Sequence, residues 1–189
     1  MKERIKQILR GRQKKRICDP GLISSAVLVP VYQKAGEYYI LFTRRTERVE
    51  YHKGEIAFPG GRKDEDDSNL LATALREGFE EIGLRPEAVE ILGELDDEST
   101  ISTSFVVSPF VALIPYPYDF EINREEVEGL VEVPLAVLRD KANFREEVIT
   151  DGGRTFMAYS YHYGDEVIWG ATARILKRFL DLLYGDELD

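Results

Sequence analysis

At 189 residues, with 43% hydrophobic and 32% charged side chains, the chain has the length and apolar content for one domain with a sizeable core. A formal charge of −10 argues against general nucleic-acid binding, which needs clustered Lys and Arg against phosphate. Cys18 is the single cysteine, which excludes an internal disulfide, and neither a signal-like N-terminus nor an apolar run of about 20 residues is present, so the expected compartment is the cytoplasm.

The first sixteen residues, MKERIKQILRGRQKKR, run against the overall charge with eight basic side chains and one acid. Ile5, Ile8 and Leu9 are spaced as a helix stripe, so residues 1–20 are expected to form a basic helix or extension that docks with its basic face in solvent. Strands follow near Leu22–Tyr32 and Tyr38–Arg44. The strand-like Glu55-Ile56-Ala57-Phe58 then ends abruptly at Pro59-Gly60-Gly61, a turn that lets backbone approach a ligand closely.

A helix is expected next, N-capped by Asp67 or Ser68, with Leu71, Ala74, Leu75, Gly78, Phe79 and Ile82 on its apolar face and Gly83 as its stop. Gly78 inside it costs about 1 kcal/mol relative to alanine, which suggests close approach of another backbone. On the other face stand Glu77, Glu80 and Glu81, spaced so that their carboxylates can converge. Oxygen clusters of this kind suit Mg²⁺ or Mn²⁺ shared with substrate phosphates.

Further strands are expected at Val89–Leu95, Phe105–Ile114 and Glu128–Val133, then a short helix from Pro134. Strands at Glu146–Thr150 and Thr155–Tyr163 flank Asp151-Gly152-Gly153, a hairpin signal. Ala171 to Tyr184 reads as a final helix burying Ile175, Leu176, Phe179, Leu180 and Leu183. Asp96-Asp97-Glu98 reads as a solvated acidic loop, Trp169 as an anchor for the last helix, and Phe58 as either a core residue or a platform for adenine. His52 suits loop orientation or substrate contact equally, and His162 lies in a tyrosine-rich strand. The pattern suits a mixed sheet held between helices.

The segment around the carboxylates resembles the Nudix hydrolases, whose box is G-x5-E-x7-R-E-U-x-E-E-x-G-U, with U a bulky apolar residue. Arg76, Glu77, Glu80, Glu81, Gly83 and Leu84 fall on its second half, while Gly61 lies one residue further from Arg76 than the pattern and Gly78 replaces its first apolar position. The upstream run Leu41 to Gly61 is similar to the coenzyme A pyrophosphatase branch, with signature L-L-T-x-R-S/A-x3-R-x3-G-x3-F-P-G-G. Leu41, Thr43, Arg45, Gly54 and Phe58 through Gly61 match in register; Glu50 stands where a second arginine is expected.

The resemblance implies a Nudix-type α/β/α sandwich over residues 21–189 and hydrolysis of a diphosphate linkage in a small nucleoside diphosphate substrate, coenzyme A favoured. It implies metal binding by Glu77, Glu80, Glu81 and the Gly61 backbone, and catalysis by Glu77, Glu81 and Glu126. Arg45, Arg48, Lys53, Phe58 and Gly60 are the implied substrate contacts, with Arg44, Arg62 and Lys63 as additional cations. Arg76 and Gly83 are implied to be structural, Arg76 by orienting the glutamates. Rival readings are another nucleoside diphosphate compound of the ADP-ribose, NADH or dinucleotide type, and a non-catalytic binding domain. A homodimer is left open.

Overall fold

Alternation along one central strand explains the layering. The structure is a computed structural model that describes residues 1–46, 54–101, 103–151 and 153–185. In chain order its elements are α1 (Lys2–Arg10), β1 (Ile23–Lys34), β2 (Glu37–Arg45), β3 (Ile56–Ala57), β4 (Gly60–Arg62), α2 (Leu70–Ile82), β5 (Glu90–Glu94), β6 (Glu98–Ser99), β7 (Phe105–Leu113), β8 (Val127–Pro134), α3 (Leu135–Arg139), β9 (Phe144–Asp151), β10 (Arg154–Tyr163), β11 (Glu166–Trp169) and α4 (Gly170–Tyr184).

Successive side chains of a strand point to opposite faces. On β1, Ala26, Leu28 and Tyr32 therefore join one core with Ala74 and Ile82 of α2, while Val29 and Val31 join the other with Ile5 and Leu9 of α1 and Leu176 and Phe179 of α4. The expected helix, sheet, helix sandwich is present. Its main sheet runs β3-β2-β1-β7-β5, with β4 paired to β1, β6 to β7 and β8 to β2. The β1–β7 pair is parallel and its neighbours antiparallel, which makes the sheet mixed. A second sheet, β11-β10-β9, is separate. Among the described residues, no helix is long and apolar enough to cross a membrane.

Several expectations need correction. Asn69, not Asp67 or Ser68, caps α2, accepting from the Ala72 N–H at 3.0 Å. Phe79 is 52% exposed rather than part of the buried face. A methyl group on Gly78 would meet the Leu28 Cδ1 at 2.9 Å, so what comes close is a core side chain and not backbone. Gly83 does stop the helix, at φ +68, with its N–H on the Phe79 carbonyl and the Leu84 N–H on that of Gly78.

The basic N-terminus is solvated only in part, with Arg4, Arg10, Lys15 and Arg16 exposed while other cations turn to the sheet, and Asp96-Asp97-Glu98 is not a solvated loop. Asp96 is buried; it is held by Arg12, by the Lys15 N–H at 2.9 Å and by Arg178 at 2.6 Å. Asp97 takes Lys14 at 2.8 Å, the Ile17 N–H at 3.0 Å and the Ser108 hydroxyl at 2.6 Å. Lys2 and Lys6 pair with Glu90 on β5. Burial alone would raise the carboxyls of Asp96 and Asp97, yet these N–H and cationic partners hold both below the usual range. The segment of unlike charge is thus bound across the sheet.

Candidate active site

The turn after β3 brings backbone against the start of β1. Leu28 donates its N–H to the Pro59 carbonyl at 2.9 Å, and β4 aligns Gly60 with Val27 and Gly61 with Ala26. Side chains are excluded there. A Cβ at Gly60 would lie 2.3 Å from the Ala26 oxygen, and one at Gly61 would lie 2.4 Å from the Glu77 carboxyl. Gly60 is therefore pressed against β1, and Gly61 against the Glu77 carboxylate on α2.

Arg76 organises that face. Its Nε and Nη2 each donate to Asp67 at 3.0 Å, its Nη1 to Glu77 at 2.9 Å and to Glu80 at 2.8 Å, and its Nη2 also to the Arg62 carbonyl at 3.0 Å. This planar fork fastens the loop before α2 to the helix. Thr73 completes the anchorage with its hydroxyl on Asp67 at 2.9 Å. The Arg76 guanidinium holds the Asp67 carboxyl well below the usual carboxylate range. Asp67 fell among the expected caps, yet its work is done nine residues on.

The three box carboxylates do not converge as expected. Glu80 is turned to Arg76, its side chain 51% exposed, and does not line the cavity beside the turn. Among the described residues no three acidic, His or Cys side chains form a ready metal cluster. Glu77 and Glu81 do line the cavity, together with Arg45, Gly60, Gly61 and Glu126. Glu81 is 2% exposed. It accepts from the Gly60 N–H at 3.2 Å and lies 3.5 Å from Arg45. Burial pushes its carboxyl up to about 8; Arg45 opposes the shift, and Glu77 and Glu126 reinforce it. Glu77 is raised too, by burial against the pull of Arg76.

Glu126 arrives on a loop tied to the end of the same helix. Glu121 and Asn123 donate their N–H groups to the carbonyls of Ile82 and Glu81 at 3.1 and 2.9 Å. The Asn123 side chain then donates to Glu126 at 3.3 Å, and the Glu126 carbonyl accepts from the Thr46 N–H at 2.9 Å. Asn123 is the positioning residue that reading by motif passes over. Glu125 and Glu128 lie outside the cavity, Glu128 facing Arg44 at 3.9 Å.

Of the expected cations, Arg45 and Arg62 line the cavity, whereas Arg44 pairs with Glu166 and Lys63 bonds the Asp64 carbonyl at 3.1 Å. Arg48, Lys53, Glu50 and His52 lie outside the described residues. Phe58 belongs to the core: it is 3% exposed and stacked on Phe42 at 4.8 Å, its edge only reaching the cavity wall. That stacking leaves no ring face for adenine.

The cavity, about 1000 Å³, extends from the carboxylates to a wall that the motifs did not reveal. Ile149 of β9, Phe156, Ser160 and His162 of β10, and Trp169 of β11 line it. Trp169 is not a buried anchor; it is 51% exposed at the junction of β11 and α4. The available signal was the even-numbered alternation of Phe156, Ala158, Ser160 and His162 opposite the tyrosines.

Glu81 is buried and Glu77 and Glu126 are half-buried beside the Gly60-Gly61 backbone, and carboxylate oxygens are the donors a hard divalent ion takes. Glu77 and Glu81 line the cavity with donors of that kind, with Glu126 near them, although no ready cluster of three forms among the described residues.

Comparison with known proteins bears on family and fold. A family model described as NUDIX domain matches residues 23–151. A Yersinia enterocolitica protein called uncharacterized Nudix hydrolase NudL is 40% identical over 154 residues, spanning 82% of this chain and 78% of the relative. Its namesake from Yersinia pestis is 37% identical over 153 residues, spanning 81% and 76%. Among solved structures, a MutT/nudix family protein from Enterococcus faecalis aligns with TM-score 0.57 and 14% identity over 89% of this chain and 64% of its own. The NUDIX domain of Shewanella oneidensis NrtR, crystallised with ADP ribose, aligns with TM-score 0.51 and 23% identity over 64% and 80%. These last two likenesses concern the fold.

Proposed function

The chain belongs to the Nudix family and is a pyrophosphohydrolase, and we propose that it cleaves the diphosphate linkage of coenzyme A or its derivatives with Mg²⁺ or Mn²⁺ as cofactor. The observation that carries this reading is the position of Arg45. As the arginine of the upstream signature, it enters the cavity and lies 3.5 Å from Glu81. The signature and the box thereby meet in one site.

Glu77, Glu81 and the backbone of Gly60-Gly61 would hold the metal. Such an ion supplies charge neutralisation on the diphosphate and a lowered pKa for a bound water. Arg76 keeps Glu77 and Glu80 in place through its fork and touches no substrate in this scheme. Arg45 and Arg62 offset the negative field that an anionic substrate meets on entry. Glu126, reached from a loop rather than from α2, is the acid assigned to take the water's proton, since its side-chain partner is the neutral Asn123 amide whereas Glu77 is held by the Arg76 cation.

A second reading, another nucleoside diphosphate compound, is favoured by Glu50 at the position of the second signature arginine. Incubation with Mg²⁺ or Mn²⁺ and a panel of coenzyme A, NADH, ADP-ribose and dinucleoside polyphosphates separates the two. Preferential release of phosphopantetheine and adenosine bisphosphate is expected; faster cleavage of any other member of the panel overturns the coenzyme A assignment.

A further inference from the structure

The carboxylates occupy one end of a cavity far larger than a diphosphate, and the rest must recognise something else. The opposite end is one face of the β9–β11 sheet. Ser160 stands opposite Trp169, and Phe156 opposite Ile149, so these side chains share that face by register. The reverse face is spent on the core, where Tyr161 and Ile168 are fully buried. The sheet is therefore two-sided, with one side packed against α4 and the other turned to the cavity.

Trp169 leaves half of its surface open there, although the indole is the largest apolar side chain available for burial. Ile149 is 40% exposed on the same face, across β10 and further along the sheet. His162 lies on the same face, and its Nε2 is 3.1 Å from the Ser160 hydroxyl, which places polar edges next to the open ring. A flat aromatic surface bordered by hydrogen-bonding groups suits a planar heterocycle, because every base offers a π-face for stacking and a polar rim for reading. Aliphatic chains gain nothing from the polar rim.

We propose that Trp169 is the stacking platform for the substrate's nucleobase, with Ser160 and His162 at the base edge, so that the β9–β11 face sets which nucleoside diphosphates are accepted. This rests on the hydrolase reading above, in that the phosphates occupy the carboxylate end. It assigns the base, rather than the group beyond the second phosphate, to this wall.

Trp169 is the chain's single tryptophan, so its fluorescence reports on this wall alone. The full-length protein with Mg²⁺ is titrated with adenosine monophosphate, which has no anhydride to cleave, and separately with ribose 5-phosphate and 4′-phosphopantetheine, which have no base. Saturable quenching by adenosine monophosphate and none by the other two is expected. No quenching by adenosine monophosphate, or equal quenching by phosphopantetheine, overturns the proposal. Turnover of the anhydride panel is scored independently: cleavage without quenching removes the stacking platform only, and quenching without cleavage removes the hydrolase reading only. On a substrate that is cleaved, Trp169→Ala raises KM roughly tenfold, with most of the effect in KM rather than kcat, and Trp169→Phe restores most of it.

Discussion

Gly61 and Glu77 are in such close apposition that the glycine's missing side chain is part of the carboxylate's seat: a Cβ there would lie 2.4 Å from the carboxyl carbon. Gly61→Ala must push Glu77 aside or distort β4. Because misplacement of a catalytic group by about 1 Å can cost on the order of 100-fold in rate, a loss of that size in kcat is expected. A thermal melt within a few degrees of the parent's distinguishes a displaced carboxylate from an unfolded protein.

Arg76→Lys keeps the charge and loses the fork. An ammonium cannot span Asp67, Glu77 and Glu80 together, so the loop before α2 is released. A stability loss of about 2 kcal/mol is expected from charged hydrogen bonds of this type, together with a fall in kcat; urea titration and steady-state kinetics read the two effects.

Glu81→Gln should abolish metal-dependent turnover without lowering Tm. The parent carboxylate is almost fully buried beside Glu77 and Glu126, and a neutral amide relieves that cost. A lowered Tm together with retained turnover would show that Glu81 is a structural group.

Asp96→Ala tests the strap formed by the N-terminal segment. It leaves Arg12 and Arg178 without their shared buried partner, and removing one member of such a pair costs about 3 kcal/mol, or roughly 10 °C in Tm for a domain of this length. Differential scanning calorimetry measures the shift.

Acid should act through the same strap. The folded-state carboxyls of Asp96 and Asp97 lie below their ordinary value, which is about 3.9 in an unfolded chain. Their stabilisation is therefore complete above about pH 4 and is lost as pH falls through the folded values. Urea midpoints of the parent should drop steeply below about pH 4, and those of the Asp96→Asn, Asp97→Asn double variant should start lower and fall less.

Local signals were the legible ones. The period of α2, its stop at Gly83 and the Pro59-Gly60-Gly61 bend each depend on neighbours within a few residues. Arg76 as the organiser of the glutamates was readable for the same reason. Convergence of all three box carboxylates was not, since spacing places side chains on a face but does not say that Arg76 claims Glu80. The Asp96–Arg12 and Asp97–Lys14 pairs join residues about eighty positions apart, beyond any window of periodicity. The wall containing Trp169 and Phe156 is hidden differently: β9 and β10 are legible and β11 is not, and which face meets the cavity depends on α4 taking the other.

Under the proposed assignment, chemistry and recognition come from different pieces of chain. The bond-breaking end is built from β4, α2 and the Glu126 loop, while the opposite wall belongs to a sheet with no strand in common. Drift at the cavity-facing positions of β9–β11 could then retune molecular appetite while Tyr161 and Ile168 keep the core and the hydrolytic end is inherited untouched.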